Sequence, residues 1–195
     1  MAVSKTRAKL VDVARQLFAK MGIENTTMND IAIASKKGRR TLYTYFKSKE
    51  EIYNAVVESE LDILSDMMKK VTEKNISPNE KLIEMIYTRL DAVKEVVYRN
   101  GTLRADFFRD IWRVEKVRKR FDAREIQLIK DVLREGMEKG LFEIDDLDMT
   151  AEIIHYCVKG VEVPYIRGYI GANLDDHKKD VFVTRLVLGA LGKKH

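Results

Sequence analysis

Six basic and three aromatic side chains, and no acidic one, fall within the nineteen residues Ile31–Lys49. The bases are Lys36, Lys37, Arg39, Arg40, Lys47 and Lys49, interleaved with Tyr43, Tyr45 and Phe46. Cations at this density neutralise phosphates and release their counterions, while guanidinium forks reach base edges in a groove. Two short helical patterns meet there at a tight break around Gly38. That is the layout of a helix-turn-helix lying on DNA. Other chemistry has little to stand on. The histidines are His155, His177 and His195, and none sits in an HxxxH or HExxH arrangement. GxSxG and glycine-rich phosphate loops are absent, so neither catalytic residues nor a cofactor nor a metal site is expected. His155 reads as a core or surface histidine rather than as a member of a site. The single cysteine, Cys157, excludes an internal disulfide and a CxxC site; it reads as a small buried apolar side chain.

Charge is unevenly distributed. Residues 1–50 hold 11 Lys/Arg against 4 Asp/Glu, leaving 25 and 27 of the chain's 36 and 31 for the rest. A basic head on a roughly neutral body suggests a polyanion-binding unit joined to a unit with another task. No apolar run approaches the ~18 residues that span a bilayer, and MAVSKTRAKL lacks a signal-peptide core. A cytoplasmic location and no membrane partner are therefore expected.

The elements that must position the basic segment are helical throughout. Apolar residues recur at three- and four-residue spacing, without strand-type alternation. The pattern predicts an all-α chain of about nine helices. The first covers about 5–21, with Leu10, Ala14, Leu17, Phe18 and Met21 as its stripe and Gly22 ending it. Thr27 and Asp30 form a capping box for the second. Gly38 starts the third, in which Leu42 and Phe46 face the core while Arg40 and Thr44 point away, with Tyr43 beside them. Ser48 and Glu51 cap a long fourth helix. Ser77-Pro78-Asn79-Glu80 is a strong start for the fifth. A short sixth holds Leu103, Phe107, Phe108, Ile111 and Trp112. The seventh covers about 114–139, the eighth runs from 145–148 to about 168 with a kink at Pro164, and the ninth covers 181–191.

The block Val11–Val56 resembles the DNA-binding domain of the TetR/AcrR family of bacterial transcriptional regulators. The resemblance rests on Ala14, Leu17, Phe18, Gly22, Thr26, Thr27, Ile31 and Ala32. It continues through Thr41-Leu42-Tyr43, Tyr45-Phe46, Lys47 and Lys49-Glu50. It implies a three-helix DNA-binding domain over 1–48 and a helical effector-binding and dimerisation domain over 49–195. The turn departs from the family pattern. Lys36 replaces the usual glycine, Lys37 an apolar valine and Gly38 the cap serine, so either Lys36 takes a positive φ, costly without glycine, or the turn is shaped differently.

By this resemblance the third helix enters the major groove and the second crosses the backbone. Arg39 and Arg40 are the candidate base readers, at least one of them on phosphate instead. Tyr43 and Asn29 match base-contact positions, and Thr27, Thr41, Thr44, Tyr45 and Lys49 match phosphate contacts. The implied partners are double-stranded DNA with a palindromic operator, a second copy of the chain through the last two helices, and a small effector of unknown identity. Ile153, Val161, Phe182, Leu186 and Gly189 are candidate interface residues. Met85, Tyr87, Phe107, Phe108, Ile111, Trp112, Phe121 and Tyr156 are candidates to line a pocket for a hydrophobic or amphipathic compound. Repression is the implied mode; the alternative is a DNA-binding architectural protein of the same fold without an effector.

Overall fold

The computed structural model describes residues 5–99 and 111–170 together with residues 185, 189 and 191. Seven helices and no strand occur among the described residues: α1 (Lys5–Met21), α2 (Met28–Ala34), α3 (Arg39–Tyr45), α4 (Lys49–Thr72), α5 (Pro78–Arg99), α6 (Ile111–Glu138) and α7 (Leu147–Ile166). The architecture is all-α as expected. Seven rather than nine helices are seen because the expected short sixth and the ninth fall mainly outside the described residues. One boundary differs: Ile111 and Trp112 begin the long α6 instead of closing a separate helix. The chain divides into two compact units, residues 1–62 with 95–119 and residues 63–94 with 120–195.

In the first unit, α1 contributes Leu10, Val11, Ala14 and Phe18 to one buried cluster, joined by Ile31 and Ala32 of α2. Leu42 of α3, Phe46 just beyond it, and Ile52, Tyr53, Ala55 and Val56 of α4 complete it. Phe18 meets Tyr53 edge to face at 6.1 Å between ring centroids. Short polar caps set where each helix starts. Thr27 Oγ1 accepts from the Asp30 N–H at 3.1 Å, and the Thr27 N–H donates to Asp30 Oδ2 at 2.9 Å. At α4 the Glu51 N–H donates to Ser48 Oγ, but the Glu51 carboxylate takes the Lys47 N–H, one residue earlier than a reciprocal box requires.

In the second unit, Ser77 caps α5: the Glu80 N–H donates to Ser77 Oγ, and the Ser77 N–H donates to Glu80 Oε2 at 2.8 Å. Hydrogen bonds from Thr27 and from Ser77 hold the Asp30 and Glu80 carboxyls below the usual carboxylate range. A depressed carboxyl stabilises the fold above its ordinary range and loses that share as pH falls. Both caps are therefore intact at neutral pH and weaken only in acid.

The same unit has a tight contact at the end of α6. Phe142 folds back over Gly136, so that a Cβ on Gly136 would lie 2.0 Å from its ring. Gly136→Ala should thus lower stability by roughly 1–3 kcal/mol, despite a gain of about 1 kcal/mol in helix propensity. A thermal midpoint that rises in the variant would show that the ring moves aside freely.

Cys157 is exposed, contrary to its expected burial. It follows Tyr156 on the outer side of α7, whereas His155 and Val158 face the core.

Candidate nucleic-acid interface

The turn between α2 and α3 is built by backbone hydrogen bonds that close α2. The Lys37 N–H donates to the Ala32 carbonyl and the Lys36 N–H to the Ile33 carbonyl, both at 3.0 Å. This is a Schellman closure, and it puts Lys36 at φ 54°. The same closure ends α6 at Gly140 and α7 at Gly168, where glycine supplies φ 66° and 72°. Lys36 is the one non-glycine residue with positive φ among the described residues. Of the two turn geometries open to this sequence, the structure thus adopts the strained one. Lys36→Gly should raise stability by about 0.5–1 kcal/mol while reducing the salt dependence of DNA binding by at most one unit of slope. An unchanged or lower unfolding midpoint would mean that the lysine side chain compensates the strain.

Gly38 precedes α3 in extended conformation, φ −63° and ψ 146°, and provides no side-chain cap. From there the helix sorts its residues by angle. Leu42 and the following Phe46 are buried, with the Arg7 guanidinium 5.1 Å above the Phe46 ring. Arg39, Arg40, Tyr43 and Thr44 are exposed, Tyr43 at 44%. Thr44 Oγ1 donates back to the Arg40 carbonyl at 2.9 Å, leaving its lone pairs outward. Two guanidinium groups, a phenol and a hydroxyl therefore share one solvent-facing side of a short helix whose opposite side is anchored.

The remaining candidates are placed differently. Asn29 and Thr27 are exposed, but the Thr27 hydroxyl donates to Asp30 Oδ2 at 2.7 Å, so its proton is committed to the cap. Thr41 and Tyr45 are half-buried, Tyr45 against the core cluster. Lys49 is also half-buried, and its ammonium donates to the Ile23 and Glu24 carbonyls at 2.6 and 3.2 Å. It thus ties α4 to the loop after α1, a role the spacing did not reveal.

The second unit holds a narrow cleft of about 10 Å³, room for about one water molecule. Met68, Leu82, Met85, Ile86 and Ile129 form its apolar wall, and Arg89 and Glu125 stand at its polar side. Of the candidate pocket residues, Met85 lines it. Phe121 is buried with its ring 5.9 Å from the Arg89 guanidinium, and Tyr87 is half-buried. Tyr156 is 59% exposed and does not reach the cleft. Phe107 and Phe108 lie outside the described residues, as do the side chains of Ile111 and Trp112.

Sequence reasoning missed the charged residues at this cleft. Arg89, 1% exposed, lies 2.5 Å through Nε from Glu125 Oε1 and donates through Nη1 to Glu162 Oε1. Its only sequence signal is an arginine on the apolar side of an amphipathic helix, four residues after Met85.

An anchored helix with an exposed basic and aromatic face, preceded by a short capped helix, defines a helix-turn-helix DNA-binding protein. Residues 10–56 match the family described as bacterial regulatory proteins, tetR family. The transcriptional repressor KstR2 of Mycolicibacterium smegmatis is 29% identical over 154 residues, 76% of this chain and 73% of that protein. The transcriptional regulator QacR of Staphylococcus aureus is 24% identical over 156 residues, 78% of this chain and 82% of that one. A transcriptional regulator from Cytophaga hutchinsonii has the same fold, with a TM-score of 0.72 over 93% of this chain and 96% of its own, at 24% identity. Residues 10–56 thus form a DNA-binding domain of the bacterial tetR regulatory family, and more than three quarters of the chain is similar to transcriptional regulators.

Proposed function

We propose that the protein is a repressor that binds a palindromic operator as a homodimer and is released by a small effector. The exposed face of α3 carries this reading. Tyr43 and one of Arg39 and Arg40 reach the base edges, while the other arginine, Thr44, Thr41, Tyr45 and the Lys36–Lys37 turn set register on phosphates. Lys49 holds the loop before α2 in place and contributes its remaining donor to the backbone.

One short helix reads too few base pairs for a genome, and two-fold pairing doubles the contact. The outer side of α7 supports pairing. Met149, Ile153 and Tyr156 follow at helical spacing and are 59%, 55% and 59% exposed, with Val161 at 37%. A contiguous apolar stripe of this kind suits burial against a second copy. The Met-lined cleft has room for about one water as it stands, so an effector would enter it only as the flexible Met68 and Met85 side chains move apart, with Arg89 or Glu125 meeting its polar group. Such a compound acts only by the difference in its affinity for the DNA-competent and released states.

The test is sedimentation of the wild type and of Ile153→Glu. The wild type should sediment as a dimer at micromolar concentration and the variant as a folded monomer with much weaker operator binding. A wild type that remains a monomer at all concentrations contradicts the proposal.

A further inference from the structure

Within the second unit, three metal-ligating side chains converge in the interior. Asp122 and Glu125 stand one turn apart on α6, and His155 meets them from α7. His155 is fully buried, Glu125 is 2% exposed and Asp122 8%. One donor atom from each lies within 4.8 Å of the other two.

The partners of these groups leave a pattern. Lys159 donates to Asp122 Oδ2 at 2.9 Å, and Arg89 Nε lies 2.5 Å from Glu125 Oε1. Each carboxylate thus meets a base through one oxygen. The second oxygens, Asp122 Oδ1 and Glu125 Oε2, are buried without a hydrogen-bond partner among the described residues, and so are both nitrogens of His155. His155 Nδ1 is 2.9 Å from Glu125 Oε2, and Nε2 is 3.7 Å from Asp122 Oδ1. Neither pair is aligned as a hydrogen bond. A buried polar atom left unpaired costs about 1–3 kcal/mol, so a ligand that takes Asp122 Oδ1, Glu125 Oε2 and one imidazole nitrogen together relieves three of these costs.

Both carboxylates are held by cations, Asp122 by Lys159 and Glu125 by Arg89, and Arg89 also pairs with Glu162. Two carboxylate oxygens and one imidazole nitrogen suit Zn²⁺, Mn²⁺ or Fe²⁺; the nitrogen disfavours Mg²⁺ and Ca²⁺. Ligand bonds of about 2.1 Å set donor atoms roughly 3–4 Å apart, so closing donor separations of up to 4.8 Å by about 1–2 Å completes the shell. Lys159 and Arg89, by holding the outer oxygens, orient the carboxylates toward that point.

We propose that Asp122, Glu125 and His155 bind one divalent transition-metal ion that joins α6 to α7. Three protein ligands leave coordination positions for water or a small donor molecule. Glu125 also borders the cleft, so the ion stands next to the proposed effector site. The site does not depend on the DNA-binding reading, and either can fail alone.

The full-length protein, dialysed against a chelator and then metal-free buffer, should be titrated with Zn²⁺, Mn²⁺ and Co²⁺. The expected result is one equivalent bound per chain. The thermal midpoint should rise by roughly 5–10 °C at a hundredfold excess over Kd. His155→Gln and Asp122→Asn should each weaken binding at least tenfold. If either variant fails to fold, the Co²⁺ absorption of the wild type decides. Intensified visible bands of a low-coordinate ion support the site, and a spectrum like that of aqueous Co²⁺ overturns it. A wild type that ignores all three metals also overturns it. So does undiminished binding in both variants, which would assign the metal elsewhere, such as to His177 or His195.

Discussion

Replacing Arg40 and Tyr43 together by alanine is expected to lower operator affinity at least ~100-fold, since each good base contact is worth about 1–3 kcal/mol. Both side chains are exposed on α3 and make no core contact; Leu42 and Phe46 hold the helix from the other side. Surface changes of this kind shift stability by no more than about 0.5 kcal/mol. The variant should therefore keep its unfolding midpoint and its sedimentation coefficient. Fluorescence anisotropy at one fixed salt concentration reads the affinity. Comparison with nonspecific DNA separates base reading from charge, because the Arg40 charge also contributes to nonspecific binding. Unchanged operator affinity would remove these residues from the reading face.

The second large effect is on stability. Arg89→Ala removes the cation that Glu125 and Glu162 share in the interior of the second unit. Breaking a buried ion pair from one side costs about 3–5 kcal/mol, which for a chain of this size lowers the midpoint by roughly 6–20 °C. Much of that cost is the stranded charge rather than the lost contact. Arg89→Met combined with Glu162→Gln should accordingly recover part of the loss. Urea unfolding followed by circular dichroism measures both variants. Equal destabilisation by the single and double variants would show that packing against Phe121, not charge, dominates.

The helix starts and ends were legible because their signals are local. Thr27 with Asp30, and Ser77 with Glu80, place helix starts within three residues of chain, and glycines at 22, 140 and 168 mark helix ends through a backbone conformation. Lys36 stood out for the opposite reason: it occupies a glycine's conformation without being one. The body was less legible. In α7 apolar residues point both inward and outward, so periodicity does not say which side is core. Cys157 and Tyr156 accordingly fall outside while His155 falls inside. No breaker stands between Ile111 and Val114, and the helix there simply continues. Arg89, Glu125 and Glu162 resist sequence reading altogether, because charged residues are buried only when a partner on another helix meets them. That meeting is a property of the packing of α5, α6 and α7.

On the proposed function, the exposed side of α3 reads a DNA sequence twice, once per subunit. Selection of bound fragments from a random duplex pool, at physiological salt, is the test. The expected result is an enriched inverted repeat whose half-site centres lie about 34–36 Å apart or a multiple of that distance, with enrichment lost in the Arg40→Ala, Tyr43→Ala variant. Retention of DNA without any enriched sequence, or an enriched site with no two-fold symmetry, would contradict it.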